Sequence, residues 1–585
     1  MWRNFPDWQV GPLRAGKFAV ITDDQIWPGA KMTDSSNMRT GGQLLVDALA
    51  LHGADMAFCV PGESYLAALD ALHDTPSIRL ITCRQEGGAA MMAETYGKMT
   101  GRPGIAFVTR GPGATNATAG LHIALQDSTP MILLIGQVAR DQFDREAFQE
   151  IDYRRMLEQV TKWTAQIEDP SRVGEYVSRA FHVATSGRPG PVALALPEDM
   201  LTELAAADLG GAYQTPEIAP TPGDMAKLES MLAAARNPLM LVGGSRWSAE
   251  TGEKIADFAE RNGLPLASSF RCQDYVDNLA PCYAGHVGIG PEASLADRVR
   301  NADLLIVLGA RIGEMTSSGY SLLDIPRPKQ KLVHIHAGAD ELGTVYQADL
   351  PIVATPAAFA DAVADIDCRD SRADMDAAHQ AFIQFTRPGS IPGDLQLAEI
   401  IGSISDNLPP ETIFTNGAGN YAIWVQRYRR FRQFRTQLAP TSGSMGYGVP
   451  SGVAAKLMYP DRPVISFSGD GCFMMHGQEL ATAIQHDAAV IFVVVNNGKF
   501  GTIRMHQERE YTGRVIGTEL INPDFAALAR AYGANGEVVE KTEEFAPALE
   551  RAMASKKASL IELRIDPDVL SPAATISGMR KAAGK

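Results

Sequence analysis

Short apolar runs that do not alternate set the strongest constraint on what this chain can fold into. Met56–Val60, Ile78–Cys83, Ile105–Thr109, Met131–Ile135 and Pro191–Leu196 are nearly continuous in apolar residues, and helix-spaced stretches such as Gly41–His52 and Ser64–His73 lie between them. A strand with one face in water alternates, whereas a strand covered by helices on both faces does not. The pattern therefore predicts parallel α/β structure. It restarts twice, with Leu239–Val242, Leu304–Leu308 and Leu332–Ile335 in a run from about Asp224 to Asp365, and with Val464–Ser468 and Ala489–Val495 in a run to about Ile565. Pro-rich Thr215–Gly223 and the loose stretch Arg387–Gly393 separate the runs. At 585 residues the chain is too long for one core. The expected fold class is α/β, with three doubly wound parallel-sheet domains and linkers near 206–223 and 366–393.

Composition excludes several function classes. A formal charge of -15 disfavours nucleic acid and anionic membranes, both of which call for a basic surface. No apolar run has the length of a bilayer span. The six cysteines form no C-x-x-C pair and no zinc spacing, which fits free thiols in a reducing cytoplasm. Residues 1–37 carry Trp2, Trp8 and Trp27 among Pro and Gly breakers, without the apolar centre of a signal peptide. They read as an N-terminal extension without structure, with the native start expected at Met32 or Met38.

The chemistry concentrates in the third run. Strand Val464–Ser468 leads into Gly469–Asp470–Gly471, and strand Ala489–Val495 ends at Asn496–Asn497. In a right-handed βαβ unit both strand ends open on the same sheet edge, so Asp470 and Asn497 face one crevice. Magnesium takes oxygen ligands in near-octahedral geometry and commonly shares them with phosphates. A carboxylate, an amide oxygen and a backbone carbonyl meet that demand, and the glycines let phosphates approach the main chain. Either turn met alone would be an ordinary surface turn.

Together the two turns resemble the signature of the thiamine-diphosphate-dependent enzymes, and the rest of the chain is similar to the acetolactate synthase large-subunit branch of that family. The resemblance runs from about Arg39 to Pro572. It implies Asp470, the Asn497 side chain and the Lys499 carbonyl as Mg2+ ligands, and contacts from Gly469, Gly471 and Cys472 to the diphosphate. Cys472 stands where relatives often carry Ser. Thr415–Tyr421 looks like the loop that receives the diphosphate, with Asn420 and Tyr421 at its contacts. In Ser442–Gly448 the resemblance implies that the Gly443 carbonyl accepts from the aminopyrimidine and that Met445 wedges the cofactor into a bent shape. Arg84–Gln85–Glu86 resembles the motif whose glutamate ionises the cofactor through its aminopyrimidine ring, making Glu86 the catalytic acid/base. Gln85 replaces the usual His. Gly111–Asn116 matches the family's GPGATN loop, and Arg110 stands where relatives often have Ser.

The substrate end departs further. Ala147–Glu150 looks like the branch, which makes Phe148 and Gln149 pocket candidates. Relatives clamp the oxo-acid carboxylate with an arginine where this chain has Met315, and a thioether makes no bidentate clamp. His506 replaces the tryptophan that selects the second oxo acid, and Arg504 is the nearby residue that would restore positive charge. FAD is bound by the central domain of acetolactate synthases. Here Leu241–Ser245 and Gly309–Arg311 are glycine turns after strands, but the acidic residue of the H-I-D segment is missing from His334–Gly338, so FAD binding and a bare scaffold both stay open.

The domains implied are 38–205 for the pyrimidine, 224–365 for the central nucleotide-binding-like unit and 394–567 for diphosphate and Mg2+, followed by a tail at 568–585. The resemblance implies a cytoplasmic homodimer or homotetramer with sites between subunits. Its expected activity is decarboxylation of a 2-oxo acid, pyruvate first, with transfer of the enamine-bound acyl unit to a second carbonyl compound. The alternatives are a non-carboligating 2-oxo acid decarboxylase, a 2-hydroxyacyl C–C lyase, and a silent subunit that kept the fold. Glu86, Asp470 and Asn497 together argue against the last.

Overall fold

The structure, a computed structural model, describes residues 38–369 and 372–584. The expectation of a structureless 1–37 extension lies outside them. The described chain builds three six-stranded sheets, each parallel throughout.

The first sheet takes β1 (Met56–Cys59), β2 (Arg79–Thr82), β3 (Gly104–Val108), β4 (Met131–Gln137), β5 (Trp163–Gln166) and β6 (Pro191–Pro197) in the order β2-β1-β3-β4-β6-β5. The second takes β7 (Pro238–Val242), β8 (Leu266–Ser268), β9 (Tyr283–His286), β10 (Leu304–Leu308), β11 (Lys331–His336) and β12 (Leu350–Val353) in the order β9-β8-β7-β10-β11-β12. The third takes β13 (Ile413–Asn416), β14 (Gln437–Leu438), β15 (Val464–Gly469), β16 (Ile491–Asn496), β17 (Asn535–Val539) and β18 (Ser559–Arg564) in the order β14-β13-β15-β16-β18-β17. The outer two domains thus share one topology, and the central one has the strand order of dinucleotide-binding folds.

Continuous burial explains the strands. Every residue of β4 and β10 is buried, and each large aliphatic side chain so placed contributes at most roughly 1.5–3 kcal/mol over leaving it in water. Helix α1 (Glu86–Thr100) lies against α2 (Pro112–Asp127) closely enough that a Cβ on Gly120 would sit 2.4 Å from the Ala90 Cβ. The other side of α1 packs on α4 (Gly448–Met458) of the third domain, so one apolar cluster spans both outer domains.

The stretch read as a linker at 366–393 contains α3 (Ala373–Phe385), which buries Met375 and Phe382 in the central domain's core. The helix after the Gly469 turn starts at Asp470 itself as α5 (Asp470–His476). Beyond α6 (Gly501–Glu510), the tail is ordered as a small hairpin and α7 (Ile576–Ala582), which packs on α6.

Candidate active site

Strands β15 and β16 are paired with Gly469 opposite Val495, which brings Asp470 and Asn497 to adjacent strand ends. The turns are tied directly. Asp470 Oδ1 accepts from the Gly471 amide at 2.8 Å, and its Oδ2 accepts from the Gly498 amide at 2.9 Å and from Asn522 Nδ2 at 2.8 Å. Burial pushes the Asp470 carboxyl above its usual range, and these donors pull it back toward the charged form. Asn496 is consumed by the scaffold, since its Nδ2 donates to Glu562 at 2.8 Å and its Oδ1 accepts from Asn522 at 2.9 Å. Asn497 instead lines the cavity at this edge. Lys499 bridges Glu519 between two ladder bonds, Leu520 N to Gly498 O and Phe500 N to Thr518 O. A residue at such a position turns its own carbonyl away from the partner strand. The donor set of carboxylate, amide oxygen and carbonyl therefore fits a hard divalent cation.

Every residue expected to hold the metal or the cofactor lines this one cavity of about 230 Å³: Asn420, Tyr421, Gly443, Met445, Gly469, Asp470, Gly471, Cys472, Asn497 and Lys499. A Cβ on Gly471 would lie 2.5 Å from the Phe500 ring, and Gly443 sits at φ +69° facing open space, so both positions require glycine. The Cys472 thiol is held by the loops around the cavity. Its Sγ accepts from the Gly446 amide at 3.1 Å and meets the Tyr421 hydroxyl at 3.1 Å, and that hydroxyl in turn accepts from the Gly417 amide at 3.0 Å. The pair stitches the two cofactor loops together. Asn420 extends the stitching to α6 by accepting from the Thr502 hydroxyl at 2.9 Å.

Glu86 opens α1, capped by the Gln85 side chain, which accepts from Gly88 N at 3.0 Å. Asn116 Nδ2 donates to Glu86 Oε2 at 3.0 Å, and a Cβ on Gly113 would come within 3.3 Å of Oε1. The GPGATN turn therefore leaves room for the carboxylate and binds one of its oxygens. Gln149, itself at φ +65°, backs onto Gly111, and Phe148 is 71 % exposed. The Arg84 and Gln85 amides donate to Glu479 of the third domain at 3.2 and 3.0 Å, fixing this edge to its own chain. Yet Glu86, Phe148 and Gln149 line neither the cofactor cavity nor the larger one beside it.

That larger cavity, of about 870 Å³, lies where the three domains meet and shares Asn420, Gly443 and Thr502 with the first. Met315 and His506 line it. Arg504, expected as a substrate-side charge, does not. It is buried on the opposite face of α6, donating to Glu508 at 3.0 Å and to Glu519. The cavity face of α6 carries Thr502, Met505, His506 and Arg509, a spacing of three, four and seven residues that the helical period alone could have revealed. Arg509 donates to His506 Nδ1 at 2.6 Å. Sequence reasoning also missed Arg271, whose buried guanidinium binds the Pro440 carbonyl at 2.6 Å and the Gly417 carbonyl at 3.0 Å, clamping the cofactor loops from the central domain.

The central domain fits a flavin dinucleotide poorly. The amides of Gly243 and Gly309, at the point where its strand order reverses, are spent on Leu308 and Ile335 carbonyls. At the end of β11 His336 stands in place of an acidic residue and folds back to accept from Gly338 N at 3.0 Å, and the nearby Glu341 carboxylate is held by Arg311 at 3.2 Å.

Comparison with known proteins agrees with this geometry. Models of the thiamine pyrophosphate enzymes match residues 39–156 (N-terminal TPP binding domain), 225–363 (central domain) and 417–563 (C-terminal TPP binding domain). The chain is 31% identical to the acetolactate synthase large subunit of Corynebacterium glutamicum, over 88% of this chain and 84% of that one. It is 29% identical to the acetolactate synthase isozyme 2 large subunit of Escherichia coli, over 90% and 95%. The probable acetolactate synthase large subunit of Methanocaldococcus jannaschii is 29% identical over 90% and 92%.

Proposed function

The chain belongs to the thiamine pyrophosphate enzymes and is acetolactate-synthase-like, and from that premise we propose that it decarboxylates a 2-oxo acid, pyruvate first, and passes the acyl unit to a second carbonyl compound. The observation that carries this reading is the gathering of the whole metal and cofactor set on one cavity that runs past Asn420 and Gly443 into a larger one. When bound, the cofactor supplies the nucleophilic carbon and the electron sink. Asp470, the Asn497 amide oxygen and the Lys499 carbonyl hold Mg2+. The Gly443 carbonyl and the Met445 side chain orient the pyrimidine. Glu86, through the Oε1 that Asn116 leaves free, exchanges a proton with the pyrimidine ring.

Because Glu86 lies off its own chain's cavity, the acid comes from a second copy, and the working unit is a homodimer or homotetramer. The six free thiols suit a reducing cytoplasm, and no helix among the described residues is long and apolar enough to cross a membrane. At the substrate end, Met315 and Met505 give an apolar wall, and Arg509 with His506 supplies the polar contact.

Met315 also favours a second reading, a decarboxylase or 2-hydroxyacyl C–C lyase that makes no new carbon–carbon bond, since no guanidinium stands at that position. Product analysis separates the two. Protein stripped of cofactor, then given thiamine diphosphate and Mg2+, should consume pyruvate and yield an acetohydroxy acid, faster when a second oxo acid is present. Free aldehyde alone would favour the second reading, and no turnover of any 2-oxo acid would sink both.

A further inference from the structure

A buried charge cluster outside the cofactor set sits directly behind the segment expected to cradle the pyrimidine. Glu94 and Lys98 lie one turn apart on α1, and Asp127 ends α2. Lys98 Nζ lies 3.2 Å from Glu94 Oε1, donates to the Asp127 carboxylate, and reaches the Ala439 carbonyl at 3.3 Å. The Glu94 and Asp127 side chains are 0% and 1% exposed. Cations and carboxylates so buried persist only when each is paired and hydrogen-bonded, and here all three are.

Apart from the Thr129 hydroxyl, which donates to Glu94 Oε1 at 2.8 Å, their remaining bonds go to one place. Asp127 Oδ1 accepts from the Thr441 amide at 2.8 Å and from the Thr441 hydroxyl. Glu94 Oε2 accepts from the Tyr447 hydroxyl at 2.6 Å, and Thr95 donates to the same hydroxyl at 3.2 Å. Thr441 and Tyr447 bracket the stretch that carries Gly443 and Met445, and the Gly443 amide donates back to Pro440 at 3.1 Å. Lys98 and Asp127 also line the large cavity. The first domain thus grips both ends of the cradle on its own chain, while its Glu86 lines neither cavity.

We propose that Glu94, Lys98 and Asp127 are positioning residues that set the Gly443 carbonyl and the Met445 side chain for the cofactor's aminopyrimidine. The proposal rests on the thiamine-diphosphate reading above. Partners one step removed from a ligand set commonly alter affinity by about 10- to 100-fold when removed.

The test uses the full-length protein carrying Tyr447→Phe, which deletes one hydroxyl, and Lys98→Met, which deletes the cation. Thiamine diphosphate is titrated by intrinsic tryptophan fluorescence in saturating Mg2+, alongside kcat, KM for the oxo acid and thermal melting. The proposal expects cofactor affinity to fall about tenfold or more and kcat to fall with it in both variants, with KM unchanged in Tyr447→Phe, whose side chain lies outside the large cavity. Should Lys98→Met fail to fold, Tyr447→Phe carries the test. A folded variant with a lower melting temperature but unchanged cofactor affinity and kcat would overturn the proposal and leave the cluster as domain glue. If the wild type turns over no oxo acid while the variants still bind cofactor more weakly, the reaction reading falls and the positioning role stands.

Discussion

Adjacent asparagines at the end of β16 serve different ends. Asn496 is bound to Glu562, Asn522 and Gly498, whereas Asn497 faces the cavity. Asn497→Ala should therefore abolish the Mg2+-dependent gain in thiamine diphosphate affinity without lowering the melting temperature. Asn496→Ala should lower the melting temperature, because it removes the hydrogen bonds to Glu562, Gly498 and Asn522 that tie these turns together. Titration with and without Mg2+, beside a melting curve, reads both. Replacing Glu86 by Gln should cut kcat by about 10²–10⁴-fold, the usual worth of a positioned acid/base, while cofactor affinity holds. These residues were legible because each motif sits at a strand end, where the register of a parallel sheet leaves little choice. Arg504 was misread although the signal was present: Glu508 is four residues on, and an i, i+4 pair on one helix face competes with any substrate for the guanidinium.

Among the elements, α7 is the one whose role the sequence hid. Arg580 reaches Glu508 on α6 at 2.6 Å, beside the Arg504 contact. Arg580 first, with Gly513 N and Arg504, holds the Glu508 carboxyl down to about 2. A carboxyl lower in the folded than in the unfolded chain, where glutamate titrates near about 4.3, stabilises the fold above that pH and loses the contribution as pH falls toward about 2. Thermal melts of wild type should therefore weaken across this acid window, and Arg580→Met should flatten that part of the profile and cost a few degrees at neutral pH. An unchanged acid limb would show that α7 is only loosely docked. The long buried strands were readable from composition, but Leu266–Ser268 and Gln437–Leu438 are too short for any period, and Trp163–Gln166 is a half-exposed edge strand without an apolar run. The end of β11 yields a further expectation: with His336 turned onto Gly338 and Glu341 held by Arg311, the purified protein should lack flavin absorption. Flavin bands in stoichiometric amount would contradict it.

For the whole molecule, the sequence conveyed three α/β domains, and it raised the expectation that the outer two are halves of one site. It could not convey how the halves meet, because that depends on which faces the domains bury against each other. In the structure α1 packs on α4 of its own chain, Glu479 seizes the backbone beside Glu86, and the Glu86 carboxylate is left away from its own cofactor cavity. On the reading proposed above, the site is complete only when a second copy supplies the acid. The most direct test mixes two variants, Glu86→Gln and Asp470→Ala, after dissociating and reassociating the subunits. Each alone should be nearly inactive. Random reassociation makes half the dimers mixed, and each mixed dimer holds one intact site of two, so activity should recover to about a quarter of wild type. No recovery above the separate variants, with mixed dimers demonstrably formed, would contradict a site shared between copies.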